Sequence, residues 1–271
     1  LQQQMRHNLA SYKTLLLSQP VPHVLQITLN RPEAANAFNT QMALDLVSAF
    51  EAVSMDAGDT RAIILTGSGT RAFCAGGDLK ERNGMSNAAW GKQHLIYERM
   101  ARAVINCPIP IIGAINGAAY GGGCELAAAV DFAYVAEGAK FAQTEVKIGI
   151  IPGAGGTQTL PRAIGERRAK ELILTGQVFN AQQALEWGLA NAVYSAEDLL
   201  PAALKTAQAI AANAPVAVRR AKQAISKGPS MSLADGLAFE IESYNRTILT
   251  QDRREGVSAF NEKRAPDFKG E

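Results

Sequence analysis

Short apolar runs rich in Val, Ile and Thr alternate with amphipathic stretches over the first two thirds of the chain, and the last third is almost wholly helical in pattern. Val24 to Leu29 and Ala62 to Thr66 are brief, apolar and bounded by turn residues, which predicts strands. Between them Ala43, Leu46, Val47, Phe50 and Val53 recur at helical spacing after a possible Asn39 or Thr40 cap, predicting an amphipathic helix. Ile111 to Ile115 and Phe132 to Ala136 read as further buried strands, separated by a glycine-rich turn and a short helix starting near Gly122. Strand, helix, strand implies an α/β layer arrangement. From about Ala196 onward the pattern gives Ala-rich helices over roughly 197–213, 215–227, 232–249 and 252–263, punctuated by Asn213-Ala214-Pro215 and Lys227-Gly228-Pro229. These helices are expected to cover or extend the sheet-containing core, and an exposed apolar face on them would favour self-association. Fixed-period repeats and low-complexity tracts are absent.

The length of 271 residues fits one large domain with an appendage, and 47% apolar with 19% charged residues is a globular composition able to build a sizeable core. A formal charge of +2 gives no electrostatic case for nucleic acid or an anionic membrane, so an anionic ligand must be met locally. Cys74, Cys107 and Cys124 are odd in number and lack CxxC spacing, which suits reduced thiols inside a cell. His7, His23 and His94 are scattered, so no zinc site is expected. The longest apolar stretch, Ile109 to Tyr120, is interrupted by Pro110, Gly113, Asn116 and Gly117 and is shorter than the roughly 20 residues of a membrane span. The first residues lack the basic, apolar, small order of a secretory signal. The expected location is the cytoplasm for a bacterial chain, or the mitochondrial matrix if a targeting peptide has been removed.

Three segments hold more glycine than packing requires: Ala75 to Asp78, Gly121 to Leu126 and Pro152 to Gln158. Each could cradle an anion, but none fits GxxxxGK[ST] or GxGxxG, so neither a P-loop nor a dinucleotide fingerprint is expected. Gly121 to Gly123 stands between a predicted strand and a predicted helix, where backbone N–H groups at a positive helix start suit an oxyanion. Glu125 falls in that helix's first turn, and Glu145 follows a strand-like segment, Phe141 to Thr144. Two carboxylates could converge there. Equally, Glu125 is a good helix-start residue, and Glu145 could face solvent or the neighbourhood of Lys147.

Taken together, the segments resemble the crotonase, or enoyl-CoA hydratase/isomerase, family over about Leu15 to Lys269. Asn30-Arg31-Pro32 with Asn36-Ala37-Phe38 looks like the family's opening signature, and Ala72 through Lys80 looks like its first oxyanion loop. Gly121 to Leu126 matches GGGCEL, and Ile151 to Gln158 matches IPGAGGTQ. Asp252 to Gly256, with Phe260 and Lys263, is similar to its C-terminal helix.

The resemblance implies that the backbone N–H groups of Gly77 and Gly122 bind the thioester oxygen, where loss of one such donor costs about 3 to 4 kcal/mol. It assigns Glu125 mainly to the attacking water and Glu145 to the α-carbon proton, a pair expected to titrate as a unit with one pKa raised. Ala75 and Gly76 would lie along bound coenzyme A, Asp78 would order the loop after Gly77, and Phe260 and Lys263 would reach a CoA site, often a neighbouring subunit's. Lys263 reads equally well as a solvated helix lysine. Glu33-Ala34-Ala35 lacks the basic residue many relatives carry, which passes the coenzyme phosphates to Lys80, Arg82 or the C-terminal helix.

The implied fold is a spiral of ββα units, residues 1–195, followed by a helical region, 196–271, that mediates trimers or dimers of trimers. The implied reaction is reversible syn addition of water to a trans-2-enoyl-CoA, giving a 3-hydroxyacyl-CoA in fatty-acid or related acyl-CoA breakdown, with no cofactor beyond the coenzyme A of the substrate. Isomerases of the family usually keep one of the two acids, so both together favour a hydratase. Leu160 to Gly165 followed by Ala169 to Ile173 also resembles 3-methylglutaconyl-CoA-type hydratases, and a basic residue facing the acyl pocket would discriminate. Acyl length is assigned to Glu81 through Met100, whose Trp90 and Tyr97 read as core or as pocket. An RNA-binding relative would need a lysine-rich helix, but Ser48 to Arg61 carries Glu51, Asp56 and Asp59 and no lysine. A non-catalytic family member is disfavoured by the intact glutamates and glycines.

Overall fold

The computed structural model describes residues 11–271. Its strands are β1 (Leu15–Val21), β2 (Val24–Leu29), β3 (Ala62–Gly67), β4 (Ala72–Cys74), β5 (Ile111–Ile115), β6 (Ala118–Tyr120), β7 (Phe132–Ala136), β8 (Lys140–Ala142), β9 (Phe179–Asn180) and β10 (Ala192–Tyr194). The helices that shape the site are α1 (Thr40–Met55), α2 (Leu79–Arg82), α3 (Asn87–Ile105), α4 (Gly122–Ala129), α5 (Gly156–Ile164), α6 (Glu166–Thr175) and α7 (Ala181–Trp187). The C-terminal set is α8 (Leu199–Ala211), α9 (Pro215–Lys227), α10 (Leu233–Ile248) and α11 (Gln251–Glu262), within two residues of the helices predicted from the pattern.

The strands form two sheets, β1-β2-β3-β5-β7-β10 and β4-β6-β8-β9. The chain visits them alternately: β3 then β4, β5 then β6, β7 then β8, each pair followed by helix or turn, which is the spiral of ββα units the resemblance implied. Neighbours β2 through β10 in the large sheet run parallel, and only the edge hairpin β1–β2 is antiparallel. Parallel strands covered on both faces read as continuous apolar runs. All six residues of β3 and all five of β5 are accordingly buried.

The two-residue side-chain period then divides one sheet between two cores. Leu25, Ile27, Leu29, Ile63, Leu65, Ile111 and Ile115 face the main core with α1, α3 and α4. Val24, Ala62, Ile64, Ile112 and Ala114 face Leu199, Ala203, Ala207 and Ala211, a stripe repeating every four residues on α8. Alanine stripes let the helix sit close to the sheet, so α8 closes the second face although it follows residue 195. Helices α9 to α11 bury few side chains; Lys222 ties α9 back through Asp131 at 2.7 Å and the Ile109 carbonyl at 2.9 Å. Asp252 caps the C-terminal tail, accepting from Lys269 N at 2.7 Å and Gly270 N at 2.8 Å.

The small sheet brings β4 and β6 side by side, so the loops after them meet. The approach is close enough to exclude a methyl group: a Cβ on Gly123 would stand 1.9 Å from the Cys74 carbonyl oxygen. Gly123→Ala should therefore cost about 3 kcal/mol or more, read as a large drop in Tm, because backbone must move to admit it. Gly138→Ala, with no atom within 4 Å of its Cβ position, is the control expected to leave Tm nearly unchanged.

Candidate active site

The opening motif acts as a brace. Asn36 sits at φ 53°, and its side chain donates to the Ser68 and Ala72 carbonyls, both at 2.9 Å, fixing the entrance to β4. Arg31 donates to the Ala37 carbonyl at 2.6 Å and pairs with Asp78 at 3.0 Å. Asp78 also caps α2, accepting from Lys80 N at 3.0 Å and Glu81 N at 3.3 Å. Burial raises its pKa, but the Arg31 partner and these N–H groups outweigh that and hold it below the usual carboxylate range. With its oxygens so engaged, Asp78 orders the loop after Gly77.

Phe38 and Gly77 form a parallel bridge through Phe38 N to Gly76 O, 2.8 Å, and Asp78 N to Phe38 O, 3.0 Å. Gly77's own N–H is directed away from Phe38 by the alternation of the strand. Gly122 opens α4, where a helix has no internal acceptor for its first N–H groups. A Cβ on Gly76, itself at φ 92°, would lie 3.1 Å from Gly122 N and 2.7 Å from the Tyr120 carbonyl oxygen, so the two loops touch. A Cβ on Gly122 would meet the Phe38 ring at 2.2 Å. That ring is locked edge-on against Tyr97 at 4.8 Å, and the Tyr97 hydroxyl donates to the Phe38 carbonyl at 3.0 Å.

A cavity of about 470 Å³ opens between these loops and α3. Ala75, Gly76, Gly77, Gly122, Glu125 and Glu145 all line it. Glu125 is 4% and Glu145 8% exposed. The third glycine-rich segment cradles the carboxyl of Glu125, whose Oε1 accepts from Ala154 N at 2.8 Å and Gly156 N at 2.7 Å. A Cβ on Gly156 would stand 2.9 Å from that same oxygen, which explains the glycine. Glu145 begins a 3₁₀ turn, and its Oε1 lies 3.3 Å from the Cβ position of Gly121, the helix cap at φ 51°. Gln143, fully buried two residues earlier, donates to Glu145 Oε1 at 3.2 Å and Oε2 at 3.1 Å once its amide nitrogen is turned toward the carboxylate.

The two acids are not equivalent. Burial raises the pKa of Glu125, while two backbone N–H groups oppose the rise by stabilising its ionised form. Glu145 is pushed up to about 7, first by burial and then by the negative charge of Glu125. The environments thus differ: two backbone N–H groups hold the Glu125 carboxyl, whereas Glu145 lies beside another carboxyl and exchanges its proton close to neutral pH.

Phe260 and Lys263 lie apart from this cavity in the single chain. Phe260, on the last turn of α11, is 84% exposed, and Lys263 is the left-handed residue that ends the helix at φ 56°. Of the cations proposed for the phosphates, Lys80 is exposed on α2, whereas Arg82 is buried and lines the cavity, which removes it from a phosphate role at the surface. Trp90 and Tyr97 both line the cavity. Phe38 and Gln143 were missed as site residues. Phe38 stands within the opening motif, and Gln143 stands two residues before Glu145, the only signals available beforehand. Among the described residues no group of three or more His, Cys, Asp or Glu is placed to hold a metal, and no helix is long and apolar enough to cross a membrane.

The enoyl-CoA hydratase/isomerase family profile matches residues 22–271, and the chain belongs to that family. YngF of Bacillus subtilis is 47% identical over 248 residues, covering 92% of this chain and 95% of that protein. A short-chain-enoyl-CoA hydratase of Clostridium acetobutylicum is 39% identical over 241 residues, covering 89% and 92%. The crystal structure of an enoyl-CoA hydratase from Bacillus anthracis superposes with a TM-score of 0.93 at 45% identity, covering 96% of this chain and all of the other.

The raised carboxyl of Glu145 makes stability depend on pH. In the unfolded chain it ionises near 4.5 and in the folded chain near 7, so between those values the folded state holds the extra proton and stability falls as pH rises. Glu145→Gln removes this penalty. The variant's Tm, close to wild type at pH 4.5, should exceed it by a growing margin up to pH 8; a constant difference would show that the carboxyl is not raised.

Proposed function

We infer that this protein hydrates a trans-2-enoyl-CoA to a 3-hydroxyacyl-CoA. The observation that carries the reading is the pairing, in one cavity, of two carboxyls in unlike settings, Glu125 on two backbone N–H groups and Glu145 with its pKa pushed up to about 7, beside Gly77 and Gly122. The thioester oxygen accepts from those two N–H groups, and negative charge grows on it as the β-carbon is attacked. Glu125, held by Ala154 N and Gly156 N, takes a proton from water as the water oxygen bonds to the β-carbon. Glu145 delivers its proton to the α-carbon, so one water is added across the double bond, leaving Glu125 with the proton taken from water and Glu145 ionised. Exchange through the site's water resets the pair. An isomerase needs only one acid to carry a proton between carbons, so two carboxyls tuned apart support hydration.

Coenzyme A enters as part of the substrate, along Ala75 and Gly76, and addition of water requires no redox group or metal. Helix α10 carries Leu233, Leu237, Ile241, Tyr244 and Ile248 on one exposed stripe, 80%, 52%, 56%, 65% and 39% accessible. That stripe supports assembly as a homotrimer or dimer of trimers, in which Phe260 and Lys263 would meet a neighbour's CoA site. Light scattering should return three or six times the 28.8 kDa chain mass; a monomer at micromolar concentration would refute it.

Loss of enoyl-thioester absorbance with crotonyl-CoA tests the reaction. Wild type should hydrate it, and folded Glu125→Gln and Glu145→Gln should each lose on the order of 10² to 10⁴ in kcat, the usual weight of a general acid or base. Folded wild type inert toward short, branched and longer 2-enoyl-CoAs would sink the hydratase reading.

A further inference from the structure

Glu125 is held by backbone N–H groups, and such donors are only as well directed as the loop that bears them is firmly placed. Ala154 N and Gly156 N both end on Glu125 Oε1, at 2.8 and 2.7 Å. Residues 151–155 belong to no helix or strand, and among the described residues none of 151–154 makes a backbone–backbone hydrogen bond. The cradle therefore has no ladder of its own to hold it, and its placement rests on what packs against it.

Helix α3 packs against it at two points. A Cβ on Gly153 would stand 2.3 Å from His94 Cε1 and 3.0 Å from its Nε2, and one on Gly155 would stand 3.6 Å from Ile105 Cδ1. Those glycines lie on either side of Ala154, so the helix backs the loop on both sides of that donor. Gly153 is not among the glycines with positive φ, so its backbone is open to alanine, and the ring is what bars a side chain there. His94 lines the cavity with its side chain 37% exposed, and Nε2 lies 3.5 Å from Glu98 Oε1 one turn along. Glu98 in turn stands 3.8 Å from Arg102. The other ionisable side chains of the cavity wall are Tyr97 on the same helix, Arg82 from α2, Glu125 itself and Glu145, which feels the charge of Glu125.

Resting on the hydratase reading, in which Glu125 takes the proton from water, we propose that His94 is a positioning residue whose ring braces Gly153 and, through it, the Ala154 N–H that directs the Glu125 carboxyl. The ring acts by packing, and no proton passes to or from it. Without the ring the loop is free to draw back and the Ala154 N–H loosens its hold. Two things follow for Glu125: its ionised form loses support, and its oxygen is less well aimed at the water.

Kinetics with crotonyl-CoA test the brace. In folded His94→Ala, kcat near neutral pH should fall on the order of tenfold while KM stays within about twofold of wild type, because the loop and not the substrate has lost a contact. The acidic limb of the kcat profile, which reports the first ionisation of the glutamate pair, should move up by roughly half a unit or more. His94→Phe, which keeps a ring against Gly153, should restore most of both. Gly153→Ala approaches the same contact from the other side. Alone it should lower kcat, and combined with His94→Ala, where the new methyl group enters vacated space, the two losses should be far from additive. Wild-type kcat and limb in His94→Ala, additive losses in the double variant, or a loss confined to KM would overturn the proposal. So would a lowered Tm with the kinetics unchanged. Should folded wild type hydrate no 2-enoyl-CoA, the hydratase reading falls and infrared titration decides the brace. The protonated-carboxyl band that Glu125→Gln removes should then titrate at higher pH in His94→Ala than in wild type, and an unmoved band would overturn it. If His94→Ala does not fold, Gly153→Ala is judged by the same kcat and the same limb.

Discussion

The chemistry of this site depends on how closely the start of α4 approaches the loop after β4. Gly123 rests against the Cys74 carbonyl, Gly76 against Tyr120 and Gly122, and Gly122 against the Phe38 ring, at separations that leave no room for a side chain. A few tenths of an ångström there set how the N–H groups of Gly77 and Gly122 stand to one another, the spacing on which their proposed oxyanion role rests. Much of the opening half of the chain serves that approach: Asn36 fixes the entrance to β4, Arg31 and Asp78 fix the exit, and Tyr97 fixes the ring that fills the gap. The glycines supply proximity, and the polar brace supplies direction.

How much of this could be read from the chain depends on the length over which each signal is spread. Four strands of the large sheet, β2, β3, β5 and β7, were legible because buried parallel strands of five or six residues are continuous apolar runs, and α8 to α11 because helical periodicity repeats over twelve or more residues, whereas the edge strands β1 and β10 were not read. Of the small sheet only β8 left a trace, in the strand-like segment before Glu145, since β4, β6 and β8 have three residues and β9 two, too few for any period. Yet that sheet is what stacks the loops of the site. The spiral therefore came from resemblance, while local pattern reached only α/β.

Side-chain roles failed in a different way. Sequence shows charge and spacing but not burial, so Arg82 looked like a phosphate ligand and Trp90 and Tyr97 hovered between core and pocket. The structure makes Tyr97 both at once: 4% exposed, it packs on Phe38 and also walls the cavity. The glycines of 152–158 suggested an anion cradle; what the segment holds is the carboxyl of Glu125, twenty-nine residues before Ala154 and thirty-one before Gly156 in the same chain. Glu145's other option, the neighbourhood of Lys147, is not taken; the stem of Lys147 runs under Gly176 instead.

Under the proposed hydratase reading, backbone donors for the oxyanion also have an electrostatic reason. A lysine or arginine at that position would bring a full positive charge beside two carboxyls and draw their pKa values down. Glu145 would then lose the proton it needs near neutral pH. Peptide N–H groups offer partial charges of fixed direction, strong enough for a developing oxyanion in a water-poor cavity yet too weak to strip an acid a few ångströms away. The one cation that does enter, Arg82, is held against Trp90 and Tyr97 on the α3 side, and the pKa of Glu145 is set by burial and Glu125 alone among its upward influences.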